Sequence, residues 1–359
     1  MEKNGCIVDS VVFANKRFSG LKFLLAPFNI FSFFRVYRKI KSFVPDIVHI
    51  HNWSFAASPS IIWAAVIKNI PIVLTLHNFR IICPSATLSH NETLYYDSVN
   101  SYFPWISIRK AIYRGSVILT FWQVVTTRLH YFLGTWKKIT FFISLTSTSK
   151  RIFESSFLKI PAYKIIIKPN FAEDNSSREN IQRQDHFLFV GRLSEEKGIR
   201  LLLEVFAGSS KKIRIIGDGP LLAAVKNAAA ANGNITYLGY REKSFISEEM
   251  KHCTALLFPS VCIETFGMTI IEAFSNSTPV IASNIGAATD LVTGDVNGIL
   301  FENGNARELE TKCQVWLEKT VADKNNFYKN CYSTFKEKYT ADRNYDLLLA
   351  IYKKCLRQP

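Results

Sequence analysis

Short runs of β-branched and aromatic residues recur along this chain, and between them apolar positions return every three or four residues. In the first half the runs are CIVDSVVF (6–13), DIVHI (46–50), PIVLTLH (71–77), ITFFISLT (139–146) and KIIIKPN (164–170). In the second half they are HFLFVG (186–191), KIRIIG (212–217), ITYLGY (235–240), ALLFPS (255–260), PVIAS (279–283) and GILF (298–301). Most are short and nearly continuous in apolar character, which suits strands buried on both faces of a parallel sheet. GIRLLLEVFAGSS (198–210) and PLLAAVKNAAAANG (220–233) carry the helical period between strands. The alternation predicts an α/β protein of two Rossmann-like, doubly wound domains facing each other across a cleft. The polar segment EDNSSRENIQRQD (173–185) reads as the linker. It sets the first domain at 1–172, the second at 186–340, and a last helix at 341–359 that packs across the domains.

Composition agrees with two packed domains: 359 residues, 48% hydrophobic and 20% charged. Seven cysteines are scattered, odd in number and never spaced C-x-x-C, which argues for a reducing cytoplasm and against a disulfide scaffold or zinc ribbon. Charge changes the picture more. Residues 1–170 hold 21 Lys and Arg against 6 Asp and Glu, whereas residues 171–359 hold 23 of each, so the whole net charge of +15 belongs to the first half. Such a half suits an anionic partner, whether membrane surface, nucleic acid or phosphorylated substrate; a lysine-rich solvated surface is the bland alternative. The first apolar run is short and interrupted by Asp9, so no secretory leader is read there. SVILTFWQVVTTRLHYFLGTWKKITFFISL (116–145) is broken by Arg128, His130, Lys137 and Lys138 and is expected to be a helix followed by a strand, not a membrane crossing. SGLKFLLAPFNIFSFFRVYRKIKSF (19–43) mixes aromatic and basic residues, and either presses on an anionic bilayer or turns an ordinary basic face to water.

Sheets of this kind bind ligands beyond the carboxyl ends of their strands, so residues at those ends are the candidates. FVGRLSEEKGI (189–199) places Arg192 and Lys197 around the start of a helix, where two cations and free N–H groups can receive a diphosphate; the same residues could instead pair with Glu195 and Glu196. In IIGDGP, Asp218 and Gly219 allow a close approach of backbone, or form a plain turn. SVCIETFGMTIIEAFSNSTPV holds two carboxylates with seven residues between them. Glu264 lies in a loop, before a helix expected to begin near Gly267, and Glu272 lies within that helix beside Ile270, Ile271, Ala273 and Phe274. A carboxylate in such company needs hydrogen-bond donors, which vicinal hydroxyls of a ribose would supply, unless it occupies a solvated face. His77, after PIVLTL, can reach into the cleft or be structural, and alternation turns His49 and His51 to one face.

In their order and spacing, PDIVHIHN, IPIVLTLHNFRIICPSATL, FVGRLSEEKGI, IIGDGP, ITYLGY, ALLFPSVCIETFGMTIIEAFSNSTPVIASNIGAATDLV and NGILF resemble the retaining glycosyltransferases of GT-B fold that carry an E-x7-E motif. The resemblance covers roughly residues 40–310 and rests on several motifs together. It implies transfer of a hexose from a UDP- or GDP-linked sugar to a lipid-linked or polysaccharide acceptor, with no metal and no further cofactor and with no nucleic-acid partner. By the same resemblance Arg192 and Lys197 hold the donor diphosphate. Glu264 binds sugar hydroxyls near the reacting carbon, helped by the backbone of Thr265, Phe266 and Gly267, while Glu272 holds the ribose. His77 faces the sugar from the first domain. Tyr240 and Arg241 flank the base, and His51 and Asn52 lie on the acceptor side. The expected location is cytoplasmic, at the inner face of the plasma membrane.

The start of the chain departs from that family. MEKNGCIVDSVVF is read as the last turn of a helix and the second strand, so that the first strand and its glycine-rich loop, about 40 residues by the size of a βα unit, are not represented. Two alternatives follow: a catalytically inactive nucleotide-binding homologue, and a nucleotide-sugar epimerase.

Overall fold

The computed structural model describes residues 6–13, 24–53, 57–90, 93–175 and 182–357. Its first sheet is built from β1 (Val48–His51) and β2 (Ile72–Leu76) and, after a two-residue hairpin of β3 (Ser89–His90) and β4 (Thr93–Leu94), from β5 (Phe141–Ser144) and β6 (Ile165–Ile167). These four strands pair in parallel in the order β1-β2-β5-β6. The second sheet comprises β7 (Phe187–Val190), β8 (Ile213–Ile216), β9 (Ile235–Gly239), β10 (Ala255–Phe258), β11 (Val280–Ser283) and β12 (Gly298–Phe301), all parallel, in the order β12-β11-β10-β7-β8-β9. Residues of β2, β5, β10 and β11 are buried throughout, as their unbroken apolar runs require of strands covered on both faces.

The second sheet winds outward from β7 to β9, then returns to place β10 on the other side of β7. At that reversal β7 and β10 are in register only through Phe187 with Ala255 and Leu188 with Leu256. Their carboxyl-terminal halves run on without pairing to each other, at the strand-order reversal where doubly wound sheets take their ligands.

The segment 6–13 corrects one expectation. It is not a strand of the first sheet: Cys6 makes an isolated bridge, residues 7–13 have no strand geometry, and Ile7, Val8 and Val12 are exposed. Asp9, which interrupts the apolar run, instead pairs with Lys39, and the Phe13 ring lies 5.0 Å from the Arg35 guanidinium. Both partners belong to the helix Ile30–Phe43, whose N-cap Asn29 accepts from the Ser32 N–H. That helix buries Val36 and Ile40, while Phe31 and Phe34 stay exposed beside Arg35, Arg38 and Lys39 around an open groove. Residues 19–23 of the aromatic and basic stretch lie outside the described residues.

The chain crosses between the domains twice. On the way out Ala172 donates its N–H to the Tyr339 carbonyl at 3.1 Å, so the outgoing and returning segments touch. The helix Ala341–Leu356 then packs Ile351 and Cys355 against Val73, Phe141 and Ile143 of the first sheet. Asn344 ties the two crossings further, accepting from Lys168 Nζ at 3.0 Å and donating to the Pro169 carbonyl at 2.5 Å. Within the expected linker, Arg183 is fastened to the second domain, donating to the carbonyls of Met250, Cys253, Asn276 and Ser277 with its guanidinium 4.1 Å from the Tyr328 ring.

The returning helix also reaches β1. Tyr352 OH lies 2.6 Å from His49 Nδ1, and His49 Nε2 lies 2.7 Å from Thr75 Oγ1. Burial, with His51 and Lys168 nearby, holds His49 down to about 3, and burial with His77 and Lys168 holds His51 down to about 4. Unfolded histidines take up a proton near pH 6.5. Between that value and about 4 the unfolded chain therefore binds more protons than the folded one, and acidification costs stability, by at most about 1.4 kcal/mol per pH unit for each histidine. The melting temperature is expected to fall on acidification below pH 6.5, and His49→Gln to flatten that fall. Parallel pH profiles of wild type and variant in chemical denaturation would contradict the assignment.

Candidate active site

Two turns meet at the crevice. The first leaves β7 through Gly191–Gly198 and the second leaves β10 through Pro259–Gly267. Gly198 has φ +73°, and a β-carbon there would fall 2.0 Å from the Pro259 carbonyl oxygen, so only glycine permits the two turns to pack. The Glu196 carbonyl accepts from Ser260 Oγ at 3.0 Å and from the Val261 N–H at 3.1 Å. These backbone contacts bring together side chains far apart in sequence. Lys197 Nζ lies 2.7 Å from Glu264 Oε2, and Ser260 Oγ donates to Glu264 Oε1 at 2.6 Å. Lys197 therefore pairs with Glu264 and not with its neighbours Glu195 and Glu196; Glu195 is engaged by Arg200. Arg192 stays exposed on the same turn, and among the described residues no carboxylate pairs with it. A carboxylate with a cation and a hydroxyl already beside it can receive hydroxyls from outside, and the exposed Arg192 of the same turn can receive an anion.

The helix Met268–Ser275 follows Gly267, with no side-chain cap on its first turn. It buries Ile270, Ile271, Ala273 and Phe274 and leaves Glu272 half-buried. Burial raises the Glu272 pKa, partly offset by Lys243. No hydrogen bond among the described residues satisfies this carboxylate, which makes it available to hydroxyls from outside. Phe266 packs into the core of the second domain near Tyr339, so only its backbone is available to a ligand.

Asp218 and Gly219 stand at the end of β8. Gly219 is needed for a contact within the protein: a β-carbon there would meet the Leu193 backbone at 2.5 Å. The close approach anticipated at this glycine is thus taken up by the neighbouring turn, while Asp218 is exposed and its Oδ1 accepts from the Gly219 N–H at 2.7 Å. Tyr240 is 80% exposed at the end of β9, and Arg241 lies over Phe245 at 4.9 Å. The structure does not bring these two into contact with the Lys197–Glu264 pair.

The first domain meets this loop directly. Thr265 Oγ1 donates to the His77 carbonyl at 2.8 Å, so the residue next to Glu264 is tied to the end of β2. Ile263 packs into the core of the first domain. His77 Nε2 and His51 Nδ1 are 2.7 Å apart, one the donor and the other the acceptor according to tautomer. Burial and Lys168 hold His77 below the usual imidazole range, so it is neutral at physiological pH. Asn52 Oδ1 accepts from Asn78 Nδ2 at 3.3 Å. His51, Asn52 and His77 therefore form one group at the carboxyl ends of β1 and β2.

Three participants escaped the sequence reading. Ser260 orients Glu264, as described. Lys168 lies at the end of β6, buried, with burial bringing its pKa down to about 8; its charge disfavours protonation of His49, His51 and His77. Asp290 reaches across the domains to the helix Ser147–Ser155, accepting from the Thr148 N–H at 2.8 Å and from the Ser147 hydroxyl. Its only cue in the sequence is the loop motif that holds it, which says nothing of a partner in the other domain.

Known proteins carry the same architecture. The family described as glycosyl transferases group 1 matches residues 171–334, and glycosyltransferase family 4 matches residues 7–140. O-antigen chain mannosyltransferase C of Escherichia coli is 27% identical over 231 residues, 59% of this chain and 60% of that protein. D-rhamnosyltransferase WbpZ of Pseudomonas aeruginosa is 30% identical over 139 residues, 35% of this chain and 36% of its own length. The matched region thus spans less than two thirds of either relative. Among solved structures, Anabaena HepE in complex with UDP superposes with a TM-score of 0.67 at 18% identity, over 89% of this chain and 82% of its own. The apo form of the lipopolysaccharide outer core galactosyltransferase WaaB gives 0.60 at 17%, over 90% and 79%. Two family matches, over residues 7–140 and 171–334, together with this shared fold, establish that the chain belongs to the GT-B glycosyltransferases.

Proposed function

We propose that the protein transfers a hexose, with retention and without a metal, from a nucleoside-diphosphate sugar to a lipid-linked or polysaccharide acceptor. The observation that carries the reading is the Lys197–Glu264–Ser260 arrangement at the strand-order reversal, with Arg192 exposed on the same turn as Lys197 and His77 joined to the Glu264 loop through Thr265. The O-antigen chain in the name of mannosyltransferase C supports a polysaccharide acceptor, and UDP as the nucleotide has its support in the ligand named for HepE. The basic first half suits an anionic surface at which a lipid-linked acceptor would be met.

In this reading Arg192 and Lys197 take the donor diphosphate. Lys197 then shares its charge between Glu264 and phosphate, and Glu264 accepts hydroxyls of the sugar. The bond between the anomeric carbon and the diphosphate oxygen breaks, and its electron pair leaves with the nucleoside diphosphate. Negative charge grows where Lys197 is already held by Glu264, so little reorganisation of that cation accompanies the step. The acceptor oxygen bonds to the same face of the sugar and passes its proton to the departing diphosphate oxygen. Neutral His77 hydrogen-bonds the sugar from the opposite domain, and Glu272 receives the ribose hydroxyls.

Thermal denaturation with UDP, GDP and ADP tests the donor site first, because a ligand of the folded state raises the melting temperature. Stabilisation by UDP or GDP is expected, and stabilisation by none would count against the reading. Glu264→Ala is expected to reduce transfer by about 100-fold or more while the chain still melts cooperatively; wild-type turnover in the folded variant would remove Glu264 from the chemistry. Glu272 must be ionised to accept two hydroxyls, and its pKa is raised. Nucleotide affinity measured by calorimetry should therefore weaken on acidification sooner than an ordinary glutamate would allow, and Glu272→Gln should bind more weakly at neutral pH with that component of the pH dependence gone. Identical profiles for the two proteins would contradict the ribose role.

A further inference from the structure

The helix Val117–Phe132 is built inside out. Its buried side is largely polar: Thr120, Gln123, Thr126, Thr127, Arg128 and His130 face the protein, with Val124 the one aliphatic among them. Arg128 is held there by the carbonyls of Ser98, Ser101 and Tyr102 and lies 3.5 Å from the Phe157 ring centroid. His130 is bonded to Thr135 Oγ1 and the Pro27 carbonyl. The outward side is apolar. Ile118, Phe121, Leu129 and Phe132 follow one helical stripe with half-buried Val125 between them, and Ile118 and Phe132 are 72% and 71% exposed. A helix packed only in water carries the opposite arrangement.

The exposed apolar surface continues beyond the helix. Phe103 lies 6.5 Å from Phe121 and 4.6 Å from Trp105, and Tyr102 lies 6.2 Å from Phe132, centroid to centroid. Trp105 and Ile106 are exposed by more than half. Basic residues flank the helix: Arg109, Lys110 and Arg114 are exposed on the turn before it, with Lys110 Nζ 5.1 Å from the Tyr95 ring and the Arg114 guanidinium 5.4 Å from the Tyr113 ring, and Lys137 and Lys138 are exposed on the turn after it. From residue 98 to residue 153 the sequence holds eight Lys and Arg and neither Asp nor Glu.

We propose that this face, the outward side of Val117–Phe132 with Trp105 and Ile106, rests on an anionic lipid bilayer. Exposed aromatic and aliphatic residues flanked by cations match the two layers of such a surface: acyl chain boundary for the rings, headgroup phosphate for the lysines and arginines. The sign of the charge selects this occupant over a second copy of the chain, which would bring the same positive face to the contact. The helix lies on the membrane and does not cross it, since Arg128 and His130 occupy its inner side and no described helix is long and apolar enough to span. The surface places the first domain against lipid. It rests on the proposed function only for the identity of the acceptor found there, and lipid binding is measured without transfer.

Flotation of the full chain with vesicles of phosphatidylglycerol and phosphatidylethanolamine, and with vesicles of phosphatidylcholine alone, tests it. Wild type is expected to float with the anionic vesicles, weakly with the neutral ones, and less as salt is raised. The variant carrying Ile118→Ser, Phe121→Ser and Phe132→Ser should lose about tenfold or more of its partitioning. Arg109→Glu with Lys110→Glu and Arg114→Glu should lose the preference for anionic lipid. Both variants are to be compared after circular dichroism shows a folded, cooperatively melting chain; these exposed residues lie outside the donor site. Wild type that stays unbound to anionic vesicles overturns the proposal, as does a folded triple serine variant that floats like wild type. Sedimentation showing a wild-type dimer that the serine variant abolishes overturns it too, in favour of a contact between copies. Loss of nucleotide binding or transfer would bear on the donor site and leave the lipid surface standing.

Discussion

The contact between Gly198 and the Pro259 carbonyl is the constraint on which the donor side depends. Two turns from strands adjacent in the sheet but distant in sequence can share one crevice only if their backbones nearly touch, and a glycine in the left-handed region permits this. Once they touch, the carbonyl of Glu196 captures Ser260 and Val261, and Lys197 comes to lie against Glu264. A point charge on a flexible stem is thereby aimed by rigid backbone on either side. The site is held from below by the buried strands β7 and β10, so its geometry is inherited from the sheet rather than from the loops alone.

The two domains are joined at three kinds of contact, each of a different character. Ile263 enters the apolar core of the first domain; Thr265 hydrogen-bonds the His77 carbonyl; Asp290 caps a helix that begins in the first domain. The last exploits the free N–H groups and partial positive charge of a helix start, a place where a carboxylate stabilises by about 0.3–1 kcal/mol when exposed. The seam runs through the residue adjacent to Glu264, so any movement between domains is felt at the carboxylate.

Much of the fold was legible because its strands are short apolar runs bounded by Gly, Pro and polar turns; ten of the eleven runs read from sequence correspond to strands. The exception is 6–13: an apolar run interrupted by Asp9 and Ser10 has an acidic group to place, and Lys39 receives it. At the site, the two glutamates and the pair Arg192 and Lys197 were readable as strand-end residues, whereas the ion pair between Lys197 and Glu264 was not, because it is made by a backbone contact that no local pattern encodes. Lys168 and Asp290 act on residues that only the tertiary fold brings near. The stretch 116–145 was legible as a helix followed by a strand, but not which face of that helix lies inside. Its polar side is buried because Arg128 and His130 find backbone carbonyls there.

The two crossings between domains lie side by side, bonded to one another through Ala172 and Tyr339 and through Asn344. Widely separated links would fix the domains like two bolts and leave a single axis of rotation through both. Adjacent links form one pivot, and turning about it would have to release the contacts that Ile263, Thr265 and Asp290 make across the crevice. On the proposed function, opening to admit a donor and closing to exclude water would then be one angular coordinate, and Asn344 fastens its pivot through Lys168 and Pro169.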